Sequence, residues 1–190
     1  MQLQTTTLGL AILLLALNAS AARAANTFGL SSPAFSANGT IPHEYSYRGY
    51  GCDGDNLSPE LHWSDVPKRT RGFALTIFDP DARHGQGWWH WIVFNLPGNV
   101  RSLPKDAGAA GNSSLPRPAN QGLTDFQTSA YGGPCPPVGD APHHYIFTLY
   151  ALDVPTLSQA TEKTSGPELQ AMIRAHVVAK AVLTGRYARR

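Results

Sequence analysis

Apolar residues along the chain gather in three dense blocks. Residues 73–78 read Phe-Ala-Leu-Thr-Ile-Phe and stop at Asp79-Pro80, residues 89–96 are stopped by Pro97-Gly98, and residues 144–152 form the third block. Each is short, rich in β-branched and aromatic side chains and bounded by turn residues, which predicts strands. The blocks are nearly continuous rather than alternating, so they suit central strands covered on both faces. Weaker strand patterns lie at 28–35, 45–47 and 60–63, separated by stretches rich in Gly, Pro, Asn and Asp. One helix is predicted late in the chain. Ser165-Gly166-Pro167-Glu168 has the spacing of a capping box. Leu169, Met172, Ile173, His176, Val177, Lys180 and Leu183 then recur at helical spacing, with Gly185 where a stop belongs. Strands first and a single helix late predict a mainly β protein, a β-sandwich or barrel with a peripheral helix, not an alternating α/β sheet.

Composition narrows the picture. The 190 residues fit one domain, and no repeat, linker or shift in composition divides residues 25–190. Charged residues make up 15% of the chain and the net charge is +2, so neither a charge-driven disordered chain nor a nucleic-acid surface is indicated. Eighteen glycines and 15 prolines call for many turns. Residues 8–17 form an apolar run broken only by Gly9, too short for a membrane-spanning helix. Ala19-Ser20-Ala21 and Ala22-Arg23-Ala24 behind it match small-residue cleavage signals, so residues 1–24 read as a secretory signal peptide. The run lacks a preceding Lys or Arg, and an uncleaved lipid-surface anchor or a misassigned start are the rival readings. Export to the periplasm or medium implies an oxidising compartment, in which Cys52 and Cys135 are expected to pair; two independent buried thiols are the alternative.

Familiar catalytic signatures are absent: no G-x-S-x-G, P-loop, H-E-x-x-H, C-x-x-C or dinucleotide fingerprint occurs. Polar residues gather instead at the ends of the three strongest strands. Asp79-Pro80-Asp81-Ala82 ends the first and Trp88-Trp89-His90 opens the second. Tyr131-Gly132-Gly133-Pro134-Cys135-Pro136-Pro137-Val138-Gly139-Asp140 and then His143-His144-Tyr145 precede the third. Taken singly, Asp79 is a turn residue, His90 a core histidine, and His143 and His144 surface residues at a strand start. Taken together, they can converge on one rim, bringing two carboxylates and two imidazoles beside a stiff loop whose glycines let a ligand approach the backbone. Nearby carboxylates are expected to favour the protonated forms of His90 and His143.

These stretches resemble the signatures of the phosphatidylethanolamine-binding protein family, which includes Raf kinase inhibitor protein. Gly51-Cys52-Asp53-Gly54-Asp55-Asn56-Leu57-Ser58-Pro59 resembles its bacterial branch, and the likeness runs from about Phe28 to about Tyr187. The resemblance implies a large antiparallel sheet packed on a smaller one, a C-terminal helix and a small anion-binding cavity. The implied lining is Asp79, Asp81, Trp88, His90, Gly133, Pro136, Pro137, His143 and Tyr145. Two departures stand out. The family often has Pro where Arg83 stands, so a different backbone at that turn is expected. It often has Arg where His144 stands, and strand alternation turns His144 away from His143 and Tyr145, toward a packing role. Three functions follow, in order of support. The first is an exported protein that binds a small phosphorylated or anionic ligand, a phospholipid head group included, with no cofactor, metal or covalent chemistry. The second is an interaction module that restrains a protease or kinase. The third is a hydrolase using the paired Asp and His.

Overall fold

The structure is a computed structural model, and it describes residues 27–111 and 114–189. The segment read as a signal peptide lies outside the described residues. Ten strands are present among the described residues: β1 (Gly29–Ser31), β2 (Arg48–Gly49), β3 (Cys52–Asp53), β4 (Leu61–Ser64), β5 (Gly72–Asp79), β6 (Trp88–Pro97), β7 (Ser102–Leu103), β8 (Asn120–Gln121), β9 (His143–Leu152) and β10 (Val177–Tyr187). A five-stranded sheet has the order β10-β9-β5-β6-β8, a three-stranded sheet the order β1-β4-β7, and β2 pairs with β3 alone. The paired strands run antiparallel. No helix among the described residues is long and apolar enough to cross a membrane.

The three dense blocks became β5, β6 and β9, the adjacent central strands of the large sheet. Both of their faces are covered, which is why they carry few polar positions. One face holds Phe73, Leu75, Ile77, Trp91, Val93, Phe147 and Leu149, packed with Leu30, Leu61, Trp63 and Leu103 of the smaller sheet. The other holds Ala74, Ile92, Phe94, Tyr150 and Leu152, packed with Leu157 and with Leu169 and Ile173 of the helix. Each large side chain taken fully out of water contributes roughly 1.5–3 kcal/mol.

Two expectations are corrected. The helix spans only Gly166–Ile173. Its start is as read: the Glu168 carboxylate accepts the Ser165 backbone N–H and hydroxyl, each at 2.8 Å. Beyond it, Val177–Tyr187 is the edge strand β10, paired with β9 from Val177 opposite Leu152 to Tyr187 opposite His143. Over this stretch Ala181 and Leu183 are buried while Lys180 and Val182 are exposed, a period of two. Gly185 is not a helix stop. A Cβ there would sit 2.6 Å from the Ile41 side chain, so its glycine allows close approach. Residues 45–47 are not a strand either; His43–Tyr45 is a short 3-10 helix behind Pro42.

The topology brings one end of the large sheet to a common edge. Asp79, the last residue of β5, lies opposite Trp88, the first of β6, and β9 begins at His143. The β5–β6 register shifts between Ile77 and Phe78, next to this end. Such irregularities re-aim side chains where a strand meets a site.

Candidate functional site

The β5–β6 turn is built around Asp79, a buried carboxylate. Its Oδ1 accepts the backbone N–H groups of Asp81 (2.9 Å) and Ala82 (3.2 Å), the local pairing that Asp supplies in turns. Its Oδ2 lies 2.8 Å from His143 Nδ1, tying the end of β5 to the start of β9. Past Asp81 the backbone turns left-handed at two successive residues, Arg83 (φ 53°, ψ 44°) and His84 (φ 58°, ψ 38°). Proline cannot adopt such a φ, so arginine at this position goes with a distinct turn geometry. The turn carries the Arg83 guanidinium over the Trp88 ring, 5.8 Å from its centre.

Together these ends wall a cavity of about 490 Å³, within the range of small-molecule sites. Asp79, Asp81, Trp88, His90, His143 and Tyr145 line it, with Pro136 and Pro137. Arg83, Asp140, Phe126, Tyr50 and Cys135, with Ala82 and His84, complete its wall and were not among the residues anticipated. Asp140 and Cys135 lie in the 131–140 loop, where nothing in the sequence marks their side chains as facing the cavity. Phe126 lies in an irregular stretch and Tyr50 on a two-residue turn, where no periodicity points to a face.

Electrostatics divides the wall. Burial holds the His90 imidazole below its ordinary pKa, against the opposing pull of the Gly132 carbonyl and Asp79. The expected imidazolium at His90 is therefore corrected: desolvation outweighs the nearby carboxylate. Its Nδ1–H donates to Gly132 O at 2.7 Å, and the neutral ring keeps Nε2 as an acceptor. Asp81 is pushed up by burial, but the backbone N–H and imidazole of His144 outweigh this and leave it lowered overall. Both donate to Asp81 Oδ2, at 2.7 and 2.8 Å. His144 thus has a sharper role than packing, since it orients one carboxylate of the cavity. His143 presents Nε2 3.4 Å from Asp140 Oδ2.

Two donors on the wall stand open. Trp88 Nε1 and the Tyr145 hydroxyl are buried and close no hydrogen bond, although the Tyr145 hydroxyl feels the neighbouring Asp79 carboxylate. Burial and then Asp79 raise the Tyr145 pKa, so the phenol keeps its proton. Gly133 is different from its anticipated role. It does not line the cavity, and its N–H donates to Asn56 Oδ1 at 2.8 Å. A Cβ there would lie 2.1 Å from Tyr45 O, so packing against the 45–47 backbone accounts for this glycine. Cys52 and Cys135 form a disulfide, with Cα atoms 6.0 Å apart, and it braces the wall at Cys135. Among the described residues no group of three or more His, Cys, Asp or Glu side chains is arranged to hold a metal ion.

A two-sheet antiparallel β fold with a short C-terminal helix, and a cavity of Asp, His, Trp and Tyr at the strand ends, define the class. The chain belongs to the phosphatidylethanolamine-binding protein family, whose model matches residues 31–188. It is 45% identical over 148 residues to the UPF0098 protein YbcL of Escherichia coli (strain K12), covering 78% of this chain and 79% of that relative. The UPF0098 protein YbhB of the same strain is 42% identical over 77% of this chain and 91% of its own length. The crystal structure of E. coli YbcL, described as a new member of the mammalian PEBP family, superposes with a TM-score of 0.83 at 40% identity. It covers 86% of this chain and 99% of that one. CT736 of Chlamydia trachomatis superposes with a TM-score of 0.71 at 36% identity, covering 87% and 99%.

Proposed function

We propose that this protein is exported to the periplasm or medium and binds a phosphate group or phosphate ester there, a phospholipid head group included, without covalent chemistry. One observation carries the reading: Trp88 and Tyr145 both line the cavity, and Trp88 Nε1–H and Tyr145 O–H are buried there without closing a hydrogen bond. Leaving such donors unpaired costs about 1–3 kcal/mol each, which an acceptor-rich ligand recovers. Arg83 supplies a permanent charge beside them and offsets the repulsion from Asp79, Asp81 and Asp140. A ligand ammonium or hydroxyl can in turn donate to Asp140, to the second Asp81 oxygen or to His90 Nε2. The disulfide and the apolar run at residues 8–17 support the exported setting.

Calorimetric titration tests the reading. Phosphoethanolamine is expected to bind one site more tightly than sulfate, which accepts but cannot donate, and Arg83→Gln is expected to weaken both. Sulfate binding as tightly as phosphoethanolamine would remove the carboxylates from the account. Turnover in a screen of esterase and phosphatase substrates would contradict a purely binding role. A second reading, an interaction module that restrains a protease or kinase, is favoured by Tyr50 and Val138, large hydrophobic side chains 72% and 63% exposed beside the cavity. Affinity capture that depends on both residues would support it.

A further inference from the structure

Three chain segments meet at the Cys52–Cys135 bridge: the β2–β3 hairpin, which carries Tyr50, the 134–138 segment, and residue 189 beyond β10. Tyr47 N–H donates to Pro134 O at 2.9 Å, and Val138 bridges to Arg189. Arg189 closes the junction. Its Nη1 donates to Tyr50 O at 3.3 Å and lies 3.3 Å from Cys52 Sγ and 3.9 Å from Cys135 Sγ. Among the described residues the guanidinium makes no salt bridge, and its Nε is buried without a partner. A permanent cation therefore sits on a disulfide, with Asp53 a nearby carboxylate that feels its charge.

We propose that this disulfide is a thiol–disulfide exchange site that takes a dithiol reductant, and that opening it releases one wall of the cavity. The two sulfurs differ in access and in surroundings. Cys52 is buried, with 9% of its surface exposed, whereas Cys135 is half-buried and faces the cavity. The reductant's thiolate attacks Cys135 Sγ, the S–S bond breaks, and its electron pair leaves on Cys52. The new mixed disulfide joins Cys135 to the reductant. The reductant's second thiolate then attacks the reductant sulfur in that bond and closes a cyclic disulfide, and the electron pair of the broken bond leaves on Cys135. The reductant loses two electrons and two protons; the protein gains two electrons, Cys135 takes a proton, and the second proton goes to Cys52 or to solvent. Arg189 acts on the leaving group. A neighbouring guanidinium lowers a thiol's pKa, and a lower leaving-group pKa speeds exchange. With the bond open, the Tyr50 turn loses its covalent tie to the Pro136-Pro137 wall and is left with the Tyr47–Pro134 hydrogen bond and the contacts of Arg189.

The test treats the folded, oxidised protein with dithiothreitol and counts thiols by alkylation and mass. Two thiols per chain are expected while the fold persists. Arg189→Gln is expected to react about tenfold more slowly, and Arg189→Lys, which keeps the charge, within about threefold of wild type. Hydrogen exchange on the reduced wild-type protein is expected to quicken at 48–53 and 134–140 and to stay unchanged in β5 and β6. This wild-type readout does not depend on how any variant folds. A bridge that opens only on global unfolding, an Arg189→Gln rate equal to wild type, or faster exchange throughout the large sheet would each overturn the proposal.

Discussion

Two tryptophan–tyrosine pairs in this molecule have opposite fates. Trp91 and Tyr131 meet edge to face with ring centres 5.8 Å apart, and both polar tips are closed. Trp91 Nε1 donates to Gln121 Oε1 at 2.6 Å and Tyr131 O–H to Tyr45 O at 2.9 Å. Trp88, three residues earlier on the same strand, and Tyr145 on β9 leave their tips open. Trp63 Nε1, Thr70 Oγ1 and Arg189 Nε are also unpartnered, but of these five residues only Trp88 and Tyr145 line the cavity. The same residue types hold the core together where a partner is built in, and face a cavity where none is. What separates structure from site here is whether the hydrogen bond is closed, not which residue is used.

The comparison breaks most readily on stability. Trp91→Ala is expected to cost about 3–5 kcal/mol, since it opens a core cavity and strands Gln121. Trp88→Phe should leave the urea midpoint nearly unchanged, and an equal loss at both sites would erase the distinction. His90 extends the contrast to pH. Burial lowers its folded pKa while the unfolded imidazole titrates near 6.5. Below about pH 6.5 the unfolded chain binds a proton that the folded one refuses, so stability falls with pH. The slope from this residue reaches about 1.4 kcal/mol per unit. Urea titrations from pH 7.5 to 4.5 should show that component in wild type and lose it in His90→Gln.

The tyrosines give a smaller but cleaner contrast. Tyr131→Phe removes a closed hydrogen bond and should cost about 1 kcal/mol, whereas Tyr145→Phe removes a buried hydroxyl that closes no hydrogen bond and should cost less. The smallest effect is expected at Arg83. Arg83→Gly relieves a left-handed backbone and should raise stability by up to about 1 kcal/mol while weakening phosphate binding. A loss of stability there would mean that the guanidinium over Trp88 matters to the fold.

Much of this architecture was legible because β5, β6 and β9 are covered on both faces, so burial wrote continuous apolar runs into the sequence. β10 was misread for a physical reason. As an edge strand beside a real helix, it continues a spacing that Leu169 and Ile173 begin, although Val177, Val178, Val182 and Thr184 favour a strand. The cavity residues at strand ends were readable because turns and strand starts leave marks such as Asp79-Pro80 and Trp88-Trp89-His90. Tyr50, Phe126 and the left-handed turn at Arg83 and His84 were not, since loop conformation and the side that a loop residue faces are decided by tertiary contacts. The state of His90 was misjudged because neighbouring charge is visible in sequence and desolvation is not.

The most direct measurement is calorimetric titration of inorganic phosphate into wild type, Trp88→Phe and Tyr145→Phe, with a urea midpoint recorded for each. The account predicts one site in wild type. Each substitution should weaken binding by about tenfold or more, as expected for a hydrogen bond to a charged acceptor, while the midpoints stay within experimental error. Phosphate that fails to bind wild type, or that binds both variants as tightly as wild type, would contradict it.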